Sequence, residues 1–273
     1  MTDRRELVEF DDIDAQEETD TFATYLDAVN RLADVQTQKR WTHRQLSPSA
    51  GDTLLDVGCG TGIDVRALAA EVGSDGTVIG VDNSADMIRT ARGRTDDTMS
   101  GFTIGDAQRL PIETDSVDGA RAERVCLHLG DPQQAVSELR RVTRPGGRIV
   151  LSETDWGTLT VDGPASMDEL TKRIIDPDEL PVTNVRAGRQ VYRWAATAGL
   201  NDIDLETTTV ALTDFGTADD VMGLSERVCS WNTADAVTDE AGRRWLETLR
   251  RADDEGVFFS SFDMFSVAGT VPD

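Results

Sequence analysis

Residues 54–64, with the sequence LLDVGCGTGID, constrain the fold more than any other stretch of the chain. Apolar residues lead into Asp56, and Gly58, Gly60 and Gly62 follow at two-residue spacing. Glycine reaches backbone conformations that other residues avoid, and it has no Cβ to block a close ligand. A helix that begins directly after such a turn presents free N–H groups and its positive dipole end at the same place. The pattern therefore predicts a strand, a tight ligand-binding turn and a helix.

The glycine spacing separates two kinds of nucleotide site. Dinucleotide-binding turns usually read G-x-G-x-x-G, whereas residues 56–62 read D-x-G-x-G-x-G. A second acid, Asp82, ends a β-branched segment and lies twenty residues past Gly62. An α/β nucleotide fold offers a carboxylate to ribose hydroxyls at this place. Ser84 follows as a predicted N-cap of the next helix.

Three further segments continue this pattern. Residues 105–111 read GDAQRLP, residues 123–129 read ERVCLHL after a predicted strand, and residues 144–148 read RPGGR ahead of another. In this order the segments resemble the class I S-adenosylmethionine (SAM) methyltransferases, and the resemblance covers residues 52–156. The ERVCLHL run and the DWGT sequence at 155–158 are most similar to the small-molecule, quinone-methylase-like subgroup.

The resemblance implies an α/β fold with a Rossmann-like, seven-stranded, mostly parallel sheet and helices on both faces. We expect residues 1–50 to form an N-terminal helical segment that covers the cleft, and residues 51–156 to form the SAM-binding core. Residues 157–187 are predicted to be a lid insertion, and residues 188–273 the C-terminal half of the sheet domain. Apolar residues at helical spacing between positions 19 and 46 predict one or two helices ahead of the sheet.

The resemblance also implies a cofactor site. Asp82 would bind both ribose hydroxyls of SAM, Asp106 would accept a hydrogen bond from the adenine amino group, and Ala107 would donate its N–H to the ring. A buried carboxylate is costly without a partner, so we interpret Asp106 as a ligand rather than as a turn residue that caps a loop. Met87 and Tyr25 are interpreted as cofactor contacts or, alternatively, as core residues. The predicted cofactor-binding set is Tyr25, Asp56, Gly58, Cys59, Gly60, Gly62, Asp82, Asn83, Met87, Gly105, Asp106, Ala107, Glu123 and Arg124.

Four residues are predicted on the acceptor side. Ligands of open α/β sheets bind at the carboxyl ends of the strands, so Glu153, Asp155 and Trp156 are placed to face the substrate. His128 follows the fourth strand, and an imidazole with a pKa of about 6.5 suits a general base. A pocket-wall role for His128 stays open, with Glu153 or Asp155 as alternative bases. The sulfonium methyl of SAM is already activated, and no C-x-x-C pair occurs, so no metal is expected.

The predicted reaction is O- or C-methylation of a small molecule, with three alternatives. An NAD(P)-dependent oxidoreductase would need the longer glycine spacing and often a Tyr-x-x-x-Lys pair, but Val29 follows Tyr25 and Ala196 follows Tyr192 at that spacing. Nucleic-acid amino-methylases carry an Asn/Asp-Pro-Pro-aromatic box after strand four, where residues 122–125 read AERV. A non-catalytic SAM-binding protein is the third alternative, and the sequence leaves it open.

The chain is strongly acidic. Its 273 residues include 51 Asp and Glu against 27 Lys and Arg, a net charge of -24, and the only lysines are Lys39 and Lys172. High salt screens the self-repulsion of such a surface, so we expect a salt-adapted protein from a halophile. Phosphate binding needs a basic face, which disfavours a nucleic-acid partner. Without a signal-peptide pattern or an apolar span, the sequence predicts a cytoplasmic protein with no membrane contact, either a monomer or a homodimer.

Overall fold

The computed structural model describes residues 19–96, 99–180, 182–230 and 239–273. One seven-stranded sheet runs through them. Its strands are β1 (Thr53–Val57), β2 (Thr77–Asp82), β3 (Ser100–Ile104), β4 (Val117–Glu123), β5 (Thr143–Val161), β6 (Asn201–Leu212) and β7 (Ser260–Thr270). Their spatial order is β3-β2-β1-β4-β5-β7-β6.

Four strand pairs are parallel and join β3 through β5, whereas β7 is antiparallel to both β5 and β6. Parallel neighbours need crossover connections, which here are helices on the faces of the sheet. The predicted mostly parallel, Rossmann-like α/β sheet of seven strands is therefore confirmed. The strand order reverses direction beside β1, between β1 and β4, and ligands of open α/β sheets bind at such a point.

Ten α-helices lie in the described ranges. They are α1 (Thr19–Asn30), α2 (Ala33–Leu46), α3 (Ile63–Val72), α4 (Ala85–Gly93), α5 (Pro132–Val142), α6 (Asp168–Ile174), α7 (Val191–Thr197), α8 (Phe215–Met222), α9 (Leu224–Ser230) and α10 (Asp239–Asp254). The Ser84 hydroxyl accepts a hydrogen bond from the Met87 N–H (3.1 Å), so it caps α4 as predicted. Asp131 caps α5 in the same way, and Pro132 occupies the first helical position.

Apolar side chains bury both faces of the sheet. On one face, Val136 and Leu139 of α5 share a buried cluster with Ile149 and Leu151 of β5. On the other, α3 packs its apolar stripe against β1 and β2 in a separate cluster. A third cluster gathers β5, β6 and β7 with the C-terminal helices around the buried Trp245. Burial of this kind contributes about 25 cal/mol per Å² of apolar surface.

The two N-terminal helices pack on the sheet and on the glycine turn. In α2, Gln38 Nε2 donates to Ser152 Oγ at 2.5 Å, which ties the helix to β5. In α1, Leu26 lies over the turn, since a Cβ added at Gly60 would be 3.2 Å from Leu26 Cδ1. An ion pair of 3.0 Å joins Asp27 of α1 to Arg94 after α4.

Strand β5 is longer than the sequence predicted. It continues to Val161, and its last residues pair with the start of β7, Thr160 opposite Ser261 and Val161 opposite Ser260. Residues 157–161 are therefore sheet, whereas we had assigned them to the lid. The rest of the predicted lid contains α6 and short helical turns, and Ile174 at the end of α6 is fully buried. Within the described ranges, no helix combines the length and apolarity that a membrane span requires.

Candidate cofactor and acceptor site

The glycine turn between β1 and α3 adopts a conformation that only glycine adopts easily. The φ angles of Gly58, Gly60 and Gly62 are 68°, 49° and 75°, which is the left-handed region. A Cβ on Gly58 would lie 2.2 Å from Val125 Cγ2. The Gly58 N–H donates to the carbonyl of Val81 at 2.7 Å, which fixes the turn against β2. The absent side chains let Val125, Leu26 and Phe102 pack directly against the turn at the N-terminus of α3.

Cys59 contributes mainly its backbone to the turn. Its N–H donates to Val81 O (3.1 Å) and its carbonyl accepts from the Gly62 N–H (2.9 Å). The thiol is buried towards β2, where a Cβ on Gly80 would be 2.8 Å from Sγ. Burial raises the pKa of the Cys59 thiol, and the nearby Asp56 and Asp82 raise it further. A thiol that stays protonated has no nucleophilic role here.

Asp82 lies beside the glycine turn at the carboxyl end of β2. Its Oδ2 accepts from the Gly60 N–H (2.8 Å) and its Oδ1 from the Ser84 N–H (3.0 Å). The carboxylate is therefore oriented by the turn that it borders, which suits the predicted role towards ribose hydroxyls. The next residue, Asn83, is exposed, whereas Met87 is buried.

The segment after β3 differs from the prediction in one respect. Asp106 is exposed, and its Oδ1 accepts from the Gln108 N–H at 2.8 Å in a local turn. Asp106 is therefore not the buried acid that the sequence predicts, because β3 is an edge strand and its following loop faces solvent. Ala107 is buried, and Gly105 packs against the ring of Pro111, whose Cδ would be 2.7 Å from a Cβ there.

A buried ion network flanks the glycine turn. Arg121 of β4 is 1% exposed, and its Nη1 lies 2.9 Å from Asp56 Oδ1 and 3.1 Å from Asp64 Oδ2. Its Nη2 lies 2.5 Å from Glu123 Oε2. Lys39 of α2 joins the same acids, with Nζ 2.5 Å from Asp64 Oδ2 and 3.0 Å from Glu123 Oε1. Four elements, α2, β1, α3 and β4, are thus connected by charged groups in the interior.

The charges in this network shift one another's proton affinity. Burial alone would raise the pKa of Asp64, but Arg121 and Lys39 hold it well below its usual value. Burial raises the pKa of Asp56 although Arg121 opposes the shift. Burial alone would lower the pKa of Arg121, but the three neighbouring carboxylates outweigh burial and raise it. Glu123, predicted to bind the cofactor, is engaged with Arg121 and Lys39 and lies at the carboxyl end of β4.

Tyr25 of α1 and Arg124 after β4 are both half-buried. Burial raises the pKa of the Tyr25 hydroxyl, and the positive charge of Arg124 opposes that shift. Arg124 has a φ of 55°, a strained conformation for a residue with a side chain. Its N–H donates to Ser152 O at 2.8 Å. Strained residues cluster at functional sites because the surrounding structure has to enforce them.

Two of the predicted acceptor-side residues are interior residues. Glu153 is 0% exposed, and its carboxylate accepts from the N–H groups of Val125 (3.0 Å), Cys126 (2.7 Å) and Leu127 (3.3 Å). Burial raises the pKa of Glu153 to about 7, although these hydrogen bonds oppose the shift. The prediction that Glu153 faces a substrate was wrong, because β5 continues past it and the loop after β4 covers it.

Asp155 is also 0% exposed, and it binds the segment that precedes α7. Its Oδ2 accepts from Arg189 Nε (2.5 Å) and from the Arg189 N–H (3.1 Å), and its Oδ1 accepts from Arg189 Nη2 (2.9 Å). The prediction that Asp155 contacts a substrate was also wrong, because β5 continues past it and Arg189 covers its carboxylate. Trp156 is half-buried, with its ring centroid 5.1 Å from that of Phe262.

His128 ends a single helical turn, Cys126–His128, directly after β4. It is half-buried, and its N–H donates to Val125 O at 3.0 Å. The residue therefore lies on the loop that Glu153 holds and that contacts Gly58 through Val125. In the described ranges, no group of His, Cys, Asp and Glu side chains is arranged to hold a metal ion.

Sequence reasoning missed four residues around this site: Lys39, Asp64, Arg121 and Asn184. Arg121 interrupts an otherwise apolar strand, and Lys39 is one of two lysines in a chain of many arginines. A charged residue within an apolar strand and a rare lysine are both visible in the sequence, and both indicate a buried charged partner. Asn184 lies in a segment without a pattern, and no sequence signal pointed to it.

The fold and the turn fit an adenosyl donor. Gly58, Gly60 and Gly62 have the left-handed conformation that the tight turn requires, and the Asp82 carboxylate borders the turn by accepting from the Gly60 N–H. This arrangement, on a sheet with β7 inserted between β5 and β6, defines a class I SAM-dependent methyltransferase. Residues 48–199 match the family described as "Methyltransferase domain". The chain belongs to this family, and its cofactor is SAM.

Relatives support the same class. The chain is 36% identical over 247 residues to an uncharacterised transposon protein of Streptomyces fradiae, covering 89% of this chain and 70% of the relative. It is 34% identical over 141 residues to a demethylmenaquinone methyltransferase of Shouchella clausii, covering 50% of this chain. The matched region spans 60% of that relative's length.

Solved structures share the fold. The YcgJ protein of Bacillus subtilis superposes with a TM-score of 0.60 at 17% identity, covering 87% of this chain and 99% of that one. Phosphoethanolamine N-methyltransferase 2 of Haemonchus contortus, solved with SAM, superposes with a TM-score of 0.58 at 18% identity. That match covers 100% of this chain and 62% of the other.

When bound, SAM supplies a methyl group on a sulfonium sulfur, which leaves when an acceptor attacks the methyl carbon in line. The chain has to bind the donor, exclude water and align the acceptor, and such positioning is worth about 7–11 kcal/mol. The glycine turn and Asp82 are the residues that would hold the donor. The ion network and the loop after β4 hold the surrounding backbone in place.

Proposed function

We propose that the protein transfers the methyl group of SAM to an oxygen or carbon of a small-molecule acceptor. The observation that carries this proposal is the position of His128 and Trp156. Both are half-buried. His128 follows β4, and Trp156 lies in β5 four residues beyond Ser152, the last residue paired with β4, so both are at the carboxyl edge of the parallel strands, where the acceptor of an open α/β enzyme binds. The similarity to demethylmenaquinone methyltransferases supports a small acceptor with an acidic hydroxyl or carbon.

In this proposal, Tyr25, Asp56, Asp82, Asn83 and Met87 surround the donor together with the glycine turn and residues 105–107. His128 takes the acceptor proton, since its unperturbed pKa is close to neutral pH. Trp156 provides an apolar wall for the acceptor. Glu123 and Arg124 act at the methionine end of the donor through their place at the end of β4.

The charge of the chain supports further parts of the proposal. With 51 acidic against 27 basic residues, a polyanionic acceptor such as a nucleic acid would be repelled. We also propose a cytoplasmic enzyme of a salt-adapted organism that works as a monomer or a homodimer. The oligomeric state is tested by sedimentation in molar KCl.

Titration calorimetry tests the proposal first. We expect SAM and S-adenosylhomocysteine to bind and NAD to show no heat. Binding of NAD alone would favour an oxidoreductase instead. A panel of phenols, quinols and carboxylates with radiolabelled SAM then identifies the acceptor class. Donor binding without turnover on any of them would favour the non-catalytic alternative.

His128→Ala tests the base. We expect single-turnover methylation to slow by about 10²–10⁴-fold, the usual contribution of a general base, while the donor affinity stays within a factor of three. An unchanged rate would remove His128 from the chemistry. His43→Ala replaces the chain's other histidine, which pairs with Asp64 of the ion network beside the glycine turn. It serves as the control for loss of an imidazole, with the single-turnover rate compared at saturating donor.

A further inference from the structure

In the loop from Val125 to Leu129, the first three N–H groups all point to one side chain. Glu153 accepts from three consecutive backbone donors, at 3.0, 2.7 and 3.3 Å. A carboxylate is a strong acceptor for several N–H groups, and such bonds are worth more than neutral ones. On the sheet side, this one buried side chain therefore fixes the loop.

A second side chain holds the opposite side of the same loop. Asn184 Nδ2 donates to the carbonyls of Cys126 (2.9 Å) and Leu129 (2.7 Å). The Asn184 backbone N–H donates to the carbonyl of Leu127 at 2.8 Å. The helix does not continue past this short turn, so no following N–H groups donate to its last carbonyls. Asn184 supplies donors instead and acts as a C-terminal cap from a distant part of the chain.

The segment that carries Asn184, residues 182–190, is itself fixed to the end of β5. Val185 O accepts from the Trp156 N–H at 2.9 Å. Arg189 donates to the buried carboxylate of Asp155 through its backbone and its guanidinium. The segment thus connects Trp156, at the proposed acceptor wall, to the loop that carries His128.

The loop also contacts the donor side. Val125 packs against Gly58 so closely that a Cβ there would be 2.2 Å from Val125 Cγ2. We propose that Asn184 is a positioning residue that joins segment 182–190 to the loop after β4. Through this link, a ligand that orders the backbone at the glycine turn also orders the backbone of segment 182–190 beside Trp156, and the reverse. The inference rests on the proposed function for the identity of the two ligands. The physical link itself consists of the contacts given above.

Hydrogen exchange with S-adenosylhomocysteine as the probe tests the link. In the unmodified protein, we expect the probe to slow amide exchange both in residues 125–129 and in residues 182–190. In Asn184→Ala, exchange at 125–127 should rise about tenfold or more without ligand, since two hydrogen bonds of ordinary net strength are lost. The probe should then slow exchange near the glycine turn and no longer in 182–190.

Arg186→Ala is the matched control, because Arg186 lies in the same segment and its guanidinium pairs with Asp178 at the surface. This variant should keep the ligand-induced protection of 182–190. Asn184→Asp has the same size as the natural residue and cannot donate either bond, so it replaces the alanine variant if the latter folds poorly. A residue with a purely local role would change exchange around itself and leave the response of 182–190 to the probe intact.

Three results overturn the inference. The first is protection of 182–190 by the probe in both Asn184 variants as in the unmodified protein. The second is the absence of that protection in the unmodified protein despite binding. The third is unchanged exchange at 125–127 in the unliganded variants. If calorimetry shows that the unmodified protein does not bind the probe at all, the donor assignment fails instead, and the unliganded comparison alone decides whether Asn184 holds the loop.

Discussion

Lys39 Nζ lies 2.5 Å from Asp64 Oδ2 in the interior of the protein, and both side chains are almost fully buried. This pair joins the second N-terminal helix to the first turn of the helix after the glycine turn. Ionised groups are costly to bury, and their attraction repays that cost only with close geometry and additional partners. Here Glu123 and Arg121 supply the additional partners. The N-terminal helices are therefore attached to the cofactor turn by charge as well as by apolar contact.

Loss of Lys39 should destabilise the fold strongly. In Lys39→Ala, Asp64 and Glu123 lose a buried cation, and removing one partner of a buried pair costs about 3–5 kcal/mol. Urea unfolding measures the change. Lys172→Ala removes the chain's other lysine from an exposed pair with Glu169, and we expect a change near zero there. Equal effects of the two substitutions would contradict the assigned role of Lys39.

The conformation of Gly58 should be indispensable. In Gly58→Ala, a side chain at φ 68° would also overlap Val125, so we expect a loss of about 1–3 kcal/mol in unfolding free energy. Calorimetry should show no SAM binding by this variant. Gly101→Ala in β3 is the control, since nothing lies within 4 Å of a Cβ there. A Gly58 variant that binds SAM normally would refute the assignment of the turn.

Glu153 should make stability depend on pH. Burial raises its pKa from 4.5 to about 7, so between these values the folded state keeps a proton that the unfolded chain releases. The stability that this group contributes is fully present below pH 4.5 and is lost as the pH rises through 7, by about 3 kcal/mol in total. Glu153→Gln stays neutral throughout. The difference in unfolding free energy between the two proteins should follow this curve, and a flat difference would show that Glu153 has an ordinary pKa.

Salt should raise the melting temperature. The net charge of -24 produces self-repulsion in the folded state, and the screening length falls from about 30 Å at 0.01 M salt to about 3 Å at 1 M. We expect the midpoint of thermal unfolding to increase steadily with KCl from dilute to molar concentration. NaCl at the same ionic strength is the control, because screening depends on ionic strength and not on the cation. A melting temperature that does not respond to KCl would exclude salt adaptation.

The local features of the site could be predicted from the sequence. Residues 56–62 form the predicted turn because glycine conformation and strand patterning are properties of adjacent residues. Ser84 caps its helix and Asp82 ends its strand for the same reason. The order of the sheet also follows from the recognised family, since the strands appear in their usual sequence.

The contacts between distant residues could not be predicted in this way. Lys39 and Arg121 share the carboxylates of Asp64 and Glu123 only because the fold brings α2 next to α3 and β4, and no local pattern encodes that arrangement. Glu153 and Asp155 were interpreted as ligands because polar residues usually mark the end of a strand. In this protein β5 continues, and loops from residues 125–127 and from Arg189 supply the hydrogen bonds that make their burial possible.

The position of β7 between β5 and β6 has a consequence for biosynthesis. Residues 260–270 fill a gap bordered by strands that were translated much earlier, and β5 shares most of its length with β7. Until the ribosome has released those residues, the nascent chain presents two unpaired strand edges, which are sites of aggregation. Chaperone capture of stalled chains that stop short of residue 260 would follow from this topology.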